Sequence, residues 1–386
     1  MYGEAYGTDQ PFRRGAQTLR GWHLGTIAGI AVEINISWVF IFAYLVARFG
    51  GGYFPERFPQ AATWEQWLAG TIGSLLLFAS VLVHEVAHSL IAGRYGMKVS
   101  RITLFVFGGV AQSEGEPKTA ISEFWIAIAG PVASVLIGAV SYGLAWLLGL
   151  GISLGVWGGV LALNGWLNIG LAVFNMLPAF PLDGGRVLRA IIWHIWGDLL
   201  RATAIATFLG RAFGYFLAGG GLLLLIFKAD LFGIVYLGIG WLLLASATSA
   251  FESAKIQAAL AGKTVAELMM PARLFVEATW PVDYVLEAYL RPYRAGILPV
   301  LHEGRVVGVL HSGTVDAVDP GNRPYVPVHQ LMDPIDPDAT IGADAAAMEA
   351  VRLLVGKGKG YLLVTDDQGL VGAISETDLS AALARS

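Results

Sequence analysis

Long apolar stretches fill the first two thirds of the chain, at 36–49, 68–91, 121–150, 156–177, 202–227 and 231–250. About 20 apolar residues of helix cross a bilayer core, so these stretches predict six spans, the first of them short. Just ahead of the first span, IAGIAVEINIS alternates apolar and polar positions from Ile30 to Ser37, which predicts a strand near the membrane interface. RITLFVFGGVAQ at 101–112 is also strand-like, with a turn expected at Gly108-Gly109. Beyond residue 262 the pattern changes to short apolar strands and helical segments divided by polar turns. The predicted fold is an α-helical polytopic membrane protein of about six spans with short membrane-associated β strands, followed by an α/β tail. The domain boundaries read as 1–262 and 263–386.

Composition agrees with this division. Of the 386 residues 55% are hydrophobic and only 14% charged, outside the soluble range. The first 262 residues hold 15 Lys and Arg against 13 Asp and Glu, and the tail holds 10 against 16. Neither half has the basic patch that phosphate-backbone binding needs, so no nucleic-acid partner is expected. The absence of cysteine excludes disulfides, Cys-ligated metals and thiol nucleophiles. The first twenty residues are polar and glycine-rich, without the pattern of a cleavable signal peptide. Arg13, Arg14, Arg20, Arg94, Lys98, Arg101, Lys118, Arg186, Arg189, Arg201, Lys255 and Lys263 all fall on one side of the predicted spans, whereas the other side carries Arg48, Arg57 and Lys228. The positive-inside rule then predicts cytoplasmic N- and C-termini and a cytoplasmic tail.

The tail repeats itself. VAELMMP at 265–271 returns as VHQLMDP at 328–334, an offset of 63 residues. ILPVLHEGRVVGVL from Ile297 likewise returns as YLLVTDDQGLVGAI from Tyr361, each pairing two apolar strands through a turn at Gly304 or Gly369. With helix-like segments at 282–293 and 344–356, this predicts a tandem βαββα-type repeat.

The candidate chemistry sits in the second span. HEVAH at 84–88 interrupts an otherwise apolar helix, and ionisable groups inside a bilayer are costly. His84 and His88 lie one helical turn apart on one face and can reach a single cation, while Glu85 is turned about 100° away and stays free to act as a base. Two core histidines hydrogen-bonded between helices are the plainer reading, and they would need several unrelated partners. Catalytic zinc takes three protein ligands, so a third donor is expected elsewhere. Neither His23 nor His194 has a supporting context. Asp183 follows the fourth span in NMLPAFPLDGGR, where Pro178 and Pro181 must break the helix and Gly184 and Gly185 permit close backbone approach. Two readings fit Asp183, a cap for the helix that follows or the third ligand. His84 lies roughly 15 Å by helical rise from the end of its helix at Arg94, so a polar cavity from the cytoplasmic side is expected.

Together these residues resemble the site-2 protease family of intramembrane zinc metalloproteases. HEVAHSL resembles its helix motif, FNMLPAFPLDGGRVLRA its second signature, AGPVAS at 129–134 its AGP segment and FGGVAQ at 107–112 its glycine-containing hairpin. The resemblance implies that His84, His88 and Asp183 hold Zn2+, that Glu85 is the general base, and that Asn175 holds substrate or the developing oxyanion. It implies cleavage of transmembrane segments of membrane-protein substrates in regulated intramembrane proteolysis. The tail resembles a pair of cystathionine-β-synthase (CBS) modules, which places the chain with sporulation-type proteases whose substrates include membrane-bound anti-sigma or pro-sigma factors. Such CBS pairs imply homodimerisation and a regulatory adenine nucleotide, ATP or AMP, held by a Ser/Thr and an Asp after the last strand. GAISETDL offers Ser375 and Asp378 there, whereas the first repeat departs from the pattern with His311 and Thr314. A docking module without ligand is the alternative.

An unwound substrate needs partners for its freed backbone, and the hairpin at Phe107, Gly108 and Gly109, with its strand at 102–107, could supply them by β-augmentation. A plain connecting hairpin fits the same residues. Ser153 in GISLG fits GxSxG, but has no histidine near it in sequence and reads as a decoy. The competing functional class is a CBS-gated membrane transporter or channel with a metal or proton site at the His–Glu–His cluster.

Overall fold

The computed structural model describes residues 21–106, 108–149, 155–228, 232–271, 274–293, 295–335, 339–356, 360–367, 369–376, 378 and 379. Arg13, Arg14, Arg20, Phe107 and Ser153 lie outside them. The chain forms two compact units that divide between Ala254 and Lys255, inside the helix Phe232–Leu260, whose last residues belong to the second unit.

The first unit opens with a hairpin, β1 (Trp22–Ile27) and β2 (Ile30–Ile34), which leads into α1 (Ile36–Arg48), a wide turn and α2 (Phe54–Arg57). Asn35 caps α1 through the Ser37 N–H, and this stops the predicted strand at Ile34 rather than Ser37. Next come α3 (Thr63–Arg94), β3 (Lys98–Phe105), β4 (Gly108–Glu114), α4 (Ala120–Gly149), α5 (Gly155–Asn175), α6 (Asp183–Trp196), α7 (Leu199–Lys228) and α8 (Phe232–Leu260). Among the described residues six helical segments are long and apolar enough to span a membrane: α1 continuing through α2, then α3, α4, α5, α7 and α8. The middle three form the interior, since 44% of the α5 window is buried against 11% for the first segment.

The four strands make one sheet in the order β1-β2-β3-β4, with β2 and β3 parallel and the other pairs antiparallel. Gly108 and Gly109 therefore begin β4 and do not form the turn itself, because Gly108 already pairs with Phe105. Within the strand-like segment 101–112 it is β4 that lies at an edge of the sheet, because β3 is enclosed by β2 and β4.

α6 is too short to span. It is amphipathic, burying Asp183, Gly184, Gly185, Val187, Arg189 and Ala190 while exposing Ile191, Ile195 and Trp196. Its entry loop folds back on itself, so that β carbons at Gly184 and Gly185 would overlap the backbones of Met176 and Ala179-Phe180. The loop is also pinned to α7, where Phe180 N–H donates to the Ala206 carbonyl and Gly210 leaves room for the Phe180 carbonyl.

The second unit holds two four-stranded sheets. One orders β6 (Val276–Glu277), β7 (Ile297–His302), β8 (Arg305–His311) and β9 (Asp333–Pro334). The other orders β10 (Thr340–Gly342), β11 (Tyr361–Asp366), β12 (Gly369–Ser375) and β5 (Met270–Pro271). The echoed motifs at 265–271 and 328–334 thus supply the exchanged edges: β5, from the head of the first repeat, completes the second sheet, and β9 completes the first. Gly308 and Gly372 make the exchange possible, because a β carbon on either would press on Met332-Asp333 or Met269-Met270.

Candidate active site

HEVAH places His84 and His88 one turn apart on α3, and their imidazoles meet edge to face with Nε2 atoms 3.1 Å apart. Asp183 Oδ2 lies 3.1 Å from His84 Nε2 and 3.3 Å from His88 Nε2. Asp183 is the first residue of α6 and Leu182 is its cap, so the capping reading of Asp183 gives way to a carboxylate turned onto both histidines. All three side chains are buried, and among the described residues they form the one cluster of such donors able to hold a metal ion.

α4 orients both rings. His88 Nδ1 donates to the Ile126 carbonyl at 2.6 Å, and His84 Nδ1 lies 2.9 Å from Ser134 Oγ. A carbonyl accepts only, so Nδ1 of His88 carries a proton, and the neutral ring then presents its lone pair at Nε2. The donor chemistry and the geometry both suit zinc. Ligand atoms 2.0–2.1 Å from a tetrahedral zinc stand roughly 3.3–3.4 Å apart, close to the edges of this triangle. Space is provided as well, since a β carbon on Gly130 of α4 would overlap Nε2 of both histidines. Pairing through Nδ1 to a hydroxyl and a carbonyl is the outer support that fixes ligand rings in metal sites.

Glu85 points to another side, and β4 crosses directly over it: a β carbon on Gly109 would overlap its side chain. Of the expected hairpin residues Gly109 is therefore brought to the site, Gly108 is its neighbour in β4, and Phe107 lies outside the described residues. Asn175 ends α5 half-buried, just before the Met176 carbonyl that rests on Gly184. A cavity of about 290 Å3 opens beside α6, lined by Ser113, Glu116, Phe180, Arg186, Arg189 and Ser253 among others, but not by the donors or Glu85. Sequence reasoning missed Gly130 and Ser134 as parts of the site, although AGPVAS was singled out, because nothing local says which face of α4 meets α3.

In the tail, the Ser375 hydroxyl donates to Asp378 Oδ2 at 2.7 Å and its N–H to the same oxygen at 2.9 Å. Burial pushes the Asp378 carboxyl above the usual carboxylate range, against the pull of these two bonds. The pair thus already has a structural role in closing the turn after β12.

Residues 72–152 and 152–217 match Peptidase family M50, and residues 328–385 match the CBS domain. Over 359 residues the chain is 33% identical to "Putative zinc metalloprotease sll0528" of Synechocystis sp., covering 92% of each chain. This chain belongs to peptidase family M50. With "Zinc metalloprotease MJ0392" of Methanocaldococcus jannaschii the M50 chain shares 26% identity over 92% of its own length and 94% of the relative's. It is 28% identical to the solved "Site-2 Protease from Methanocaldococcus jannaschii", covering 60% of this chain and 95% of that one with a TM-score of 0.43. The M50 protein is a membrane zinc metalloprotease of the site-2 type with a CBS domain in its tail, and this membership displaces the transporter reading.

Proposed function

We propose that this protease binds Zn2+ through His84, His88 and Asp183 and cuts transmembrane segments of single-span membrane proteins, with membrane-bound transcription-factor precursors, anti-sigma or pro-sigma factors, as the substrate class. The observation that carries the reading is the buried triangle of two Nε2 atoms and one carboxylate oxygen with edges of 3.1–3.3 Å. Zinc supplies Lewis acidity there, polarising the scissile carbonyl and acidifying water. Glu85, one residue from a ligand but on another face, takes a proton from the attacking water and returns it to the leaving amine nitrogen as the peptide C–N bond breaks. Asn175 offers its amide to the carbonyl oxygen as negative charge develops on it.

The outer edge of β4 receives the unwound substrate as an added strand, which satisfies backbone groups exposed by unwinding. Gly109 brings this edge over Glu85. The membrane domain spans 1–262 and the CBS pair 263–386, with both termini cytoplasmic by the positive-inside rule. Asp378 and Ser375 hold an adenine nucleotide, ATP or AMP, that regulates cleavage, and the tail mediates a homodimer.

Metal analysis with a cleavage assay on a single-span substrate tests the catalytic reading. Wild type should carry about one zinc per chain and cleave, and Glu85→Gln should keep the zinc and lose cleavage. A Glu85→Gln protein that still cuts, or a wild type free of zinc that cuts, refutes it. ATP binding to the intact chain that survives Asp378→Ala would remove the nucleotide assignment.

A further inference from the structure

One face of α4 carries Glu123, Ile126, Gly130 and Ser134, at spacings of three, four and four residues that align them along the helix. Ile126 and Ser134 hold the two imidazoles, and Gly130 clears the space beside them. Glu123, one turn before Ile126, reaches a different element. Its Oε1 accepts from Nε of Arg189 at 2.7 Å and from Nη2 of the same guanidinium, and Arg186 Nε stands 3.9 Å away. Both arginines lie on α6, the helix that begins with Asp183. Glu123 is 0% exposed and Arg189 6%. The Arg189 guanidinium also lies over the Phe180 ring, 5.2 Å from its centroid, in the loop that delivers Asp183.

We propose that the Glu123–Arg189 ion pair is a positioning element that sets the rotation and height of α6, so that α4 serves as the template for all three metal ligands. The proposal rests on reading His84, His88 and Asp183 as those ligands.

Three physical arguments support it. Asp183 stands at the very start of a helix entered through a proline-rich loop, so its carboxylate is only as fixed as α6 itself, and such sites tolerate about 0.5 Å of displacement. The pair is an inefficient way to hold helices together, because Glu123 Oε2 is buried without a hydrogen-bond partner. Buried ion pairs of this kind are often no more stabilising than apolar residues of similar volume. What the planar guanidinium adds is direction: Nε and Nη2 of Arg189 converge on the single oxygen Oε1 of Glu123, which aims the guanidinium edge of α6 at one point on α4.

The test is the zinc dissociation constant of the full-length purified protein, measured by competition with a chelator, alongside kcat and KM. Glu123→Gln/Arg189→Met removes both buried charges together, and Arg186, which loses Glu123 as a neighbour, is 26% exposed and keeps access to water. It should weaken zinc roughly tenfold, the low end of losses when support behind a ligand is removed. kcat should fall with KM nearly unchanged, and the melting temperature of the zinc-free protein should stay close to wild type. Should that double variant not fold, Arg189→Lys decides: it keeps the charge, loses the planar guanidinium and should weaken zinc severalfold. A folded variant with wild-type zinc affinity overturns the proposal. His84→Ala and Asp183→Asn run in parallel; if neither weakens zinc, the ligand reading has failed, and if both do while the Glu123 and Arg189 variants do not, the positioning role alone has failed.

Discussion

Gly109 of β4 lies directly over Glu85: a β carbon there would stand 2.5 Å from Cγ and 3.1 Å from Cδ of the glutamate. The strand and the base are so close that only a residue without a side chain fits between them. Gly109→Val must therefore lift β4 or turn Glu85 aside. The expected outcome is a kcat reduced by at least about tenfold with zinc stoichiometry retained, because the ligands are not touched. Wild-type turnover in this variant would show that β4 moves freely away from the base.

Gly130 makes the opposite prediction. Gly130→Ala places a methyl against both Nε2 atoms, and zinc binding itself should fail, by roughly a hundredfold or more in affinity. Chelator competition reads this directly, and a variant that keeps full zinc affinity contradicts the placement of α4 beside the donors.

Ser134→Ala should separate orientation from ligation. Ser134 is fully buried and faces His84 Nδ1 at 2.9 Å, so its removal strands a ring nitrogen in an apolar setting. Zinc affinity should drop about tenfold, and Ser134→Thr should restore part of it by returning the hydroxyl. An Ala variant indistinguishable from wild type would mean that His84 is oriented by packing alone.

In the tail, burial holds the Asp378 carboxyl above its ordinary range. Its protonated form is then the one favoured by folding, so this stability is present at low pH and is lost as pH rises through the raised value. Asp378→Asn removes the group that titrates. The tail's melting temperature, followed in the intact chain from about pH 4 upward, should fall less in the variant than in wild type. Identical slopes would place the carboxyl in water.

Much of this architecture is legible from local pattern. The six spans follow from apolar length, the His84–Glu85–His88 arrangement from helical period, and the tandem repeat of the tail from self-similarity. What local pattern cannot show is which helix faces meet. Glu123 reads as an ordinary first-turn acid, and Arg189 as one more basic residue between two spans; only the docking of α6 on α4 makes them a pair. β1 is hard to read for a related reason: the alternation of Trp22–Ile27 breaks at a register shift after His23, and the strand has no buried side, being held by pairing with β2. β3 likewise reads as half of an isolated hairpin until β2, nearly seventy residues earlier, closes its other side.

The crossing of β5 and β9 between the two sheets has a consequence for how the tail behaves as a whole. Neither repeat owns a finished sheet, so neither can be deleted, melted or rearranged while its sibling stays intact. Ser375 ends β12, which pairs with β5, so the turn that Ser375 closes is joined by backbone hydrogen bonding to the head of the other repeat.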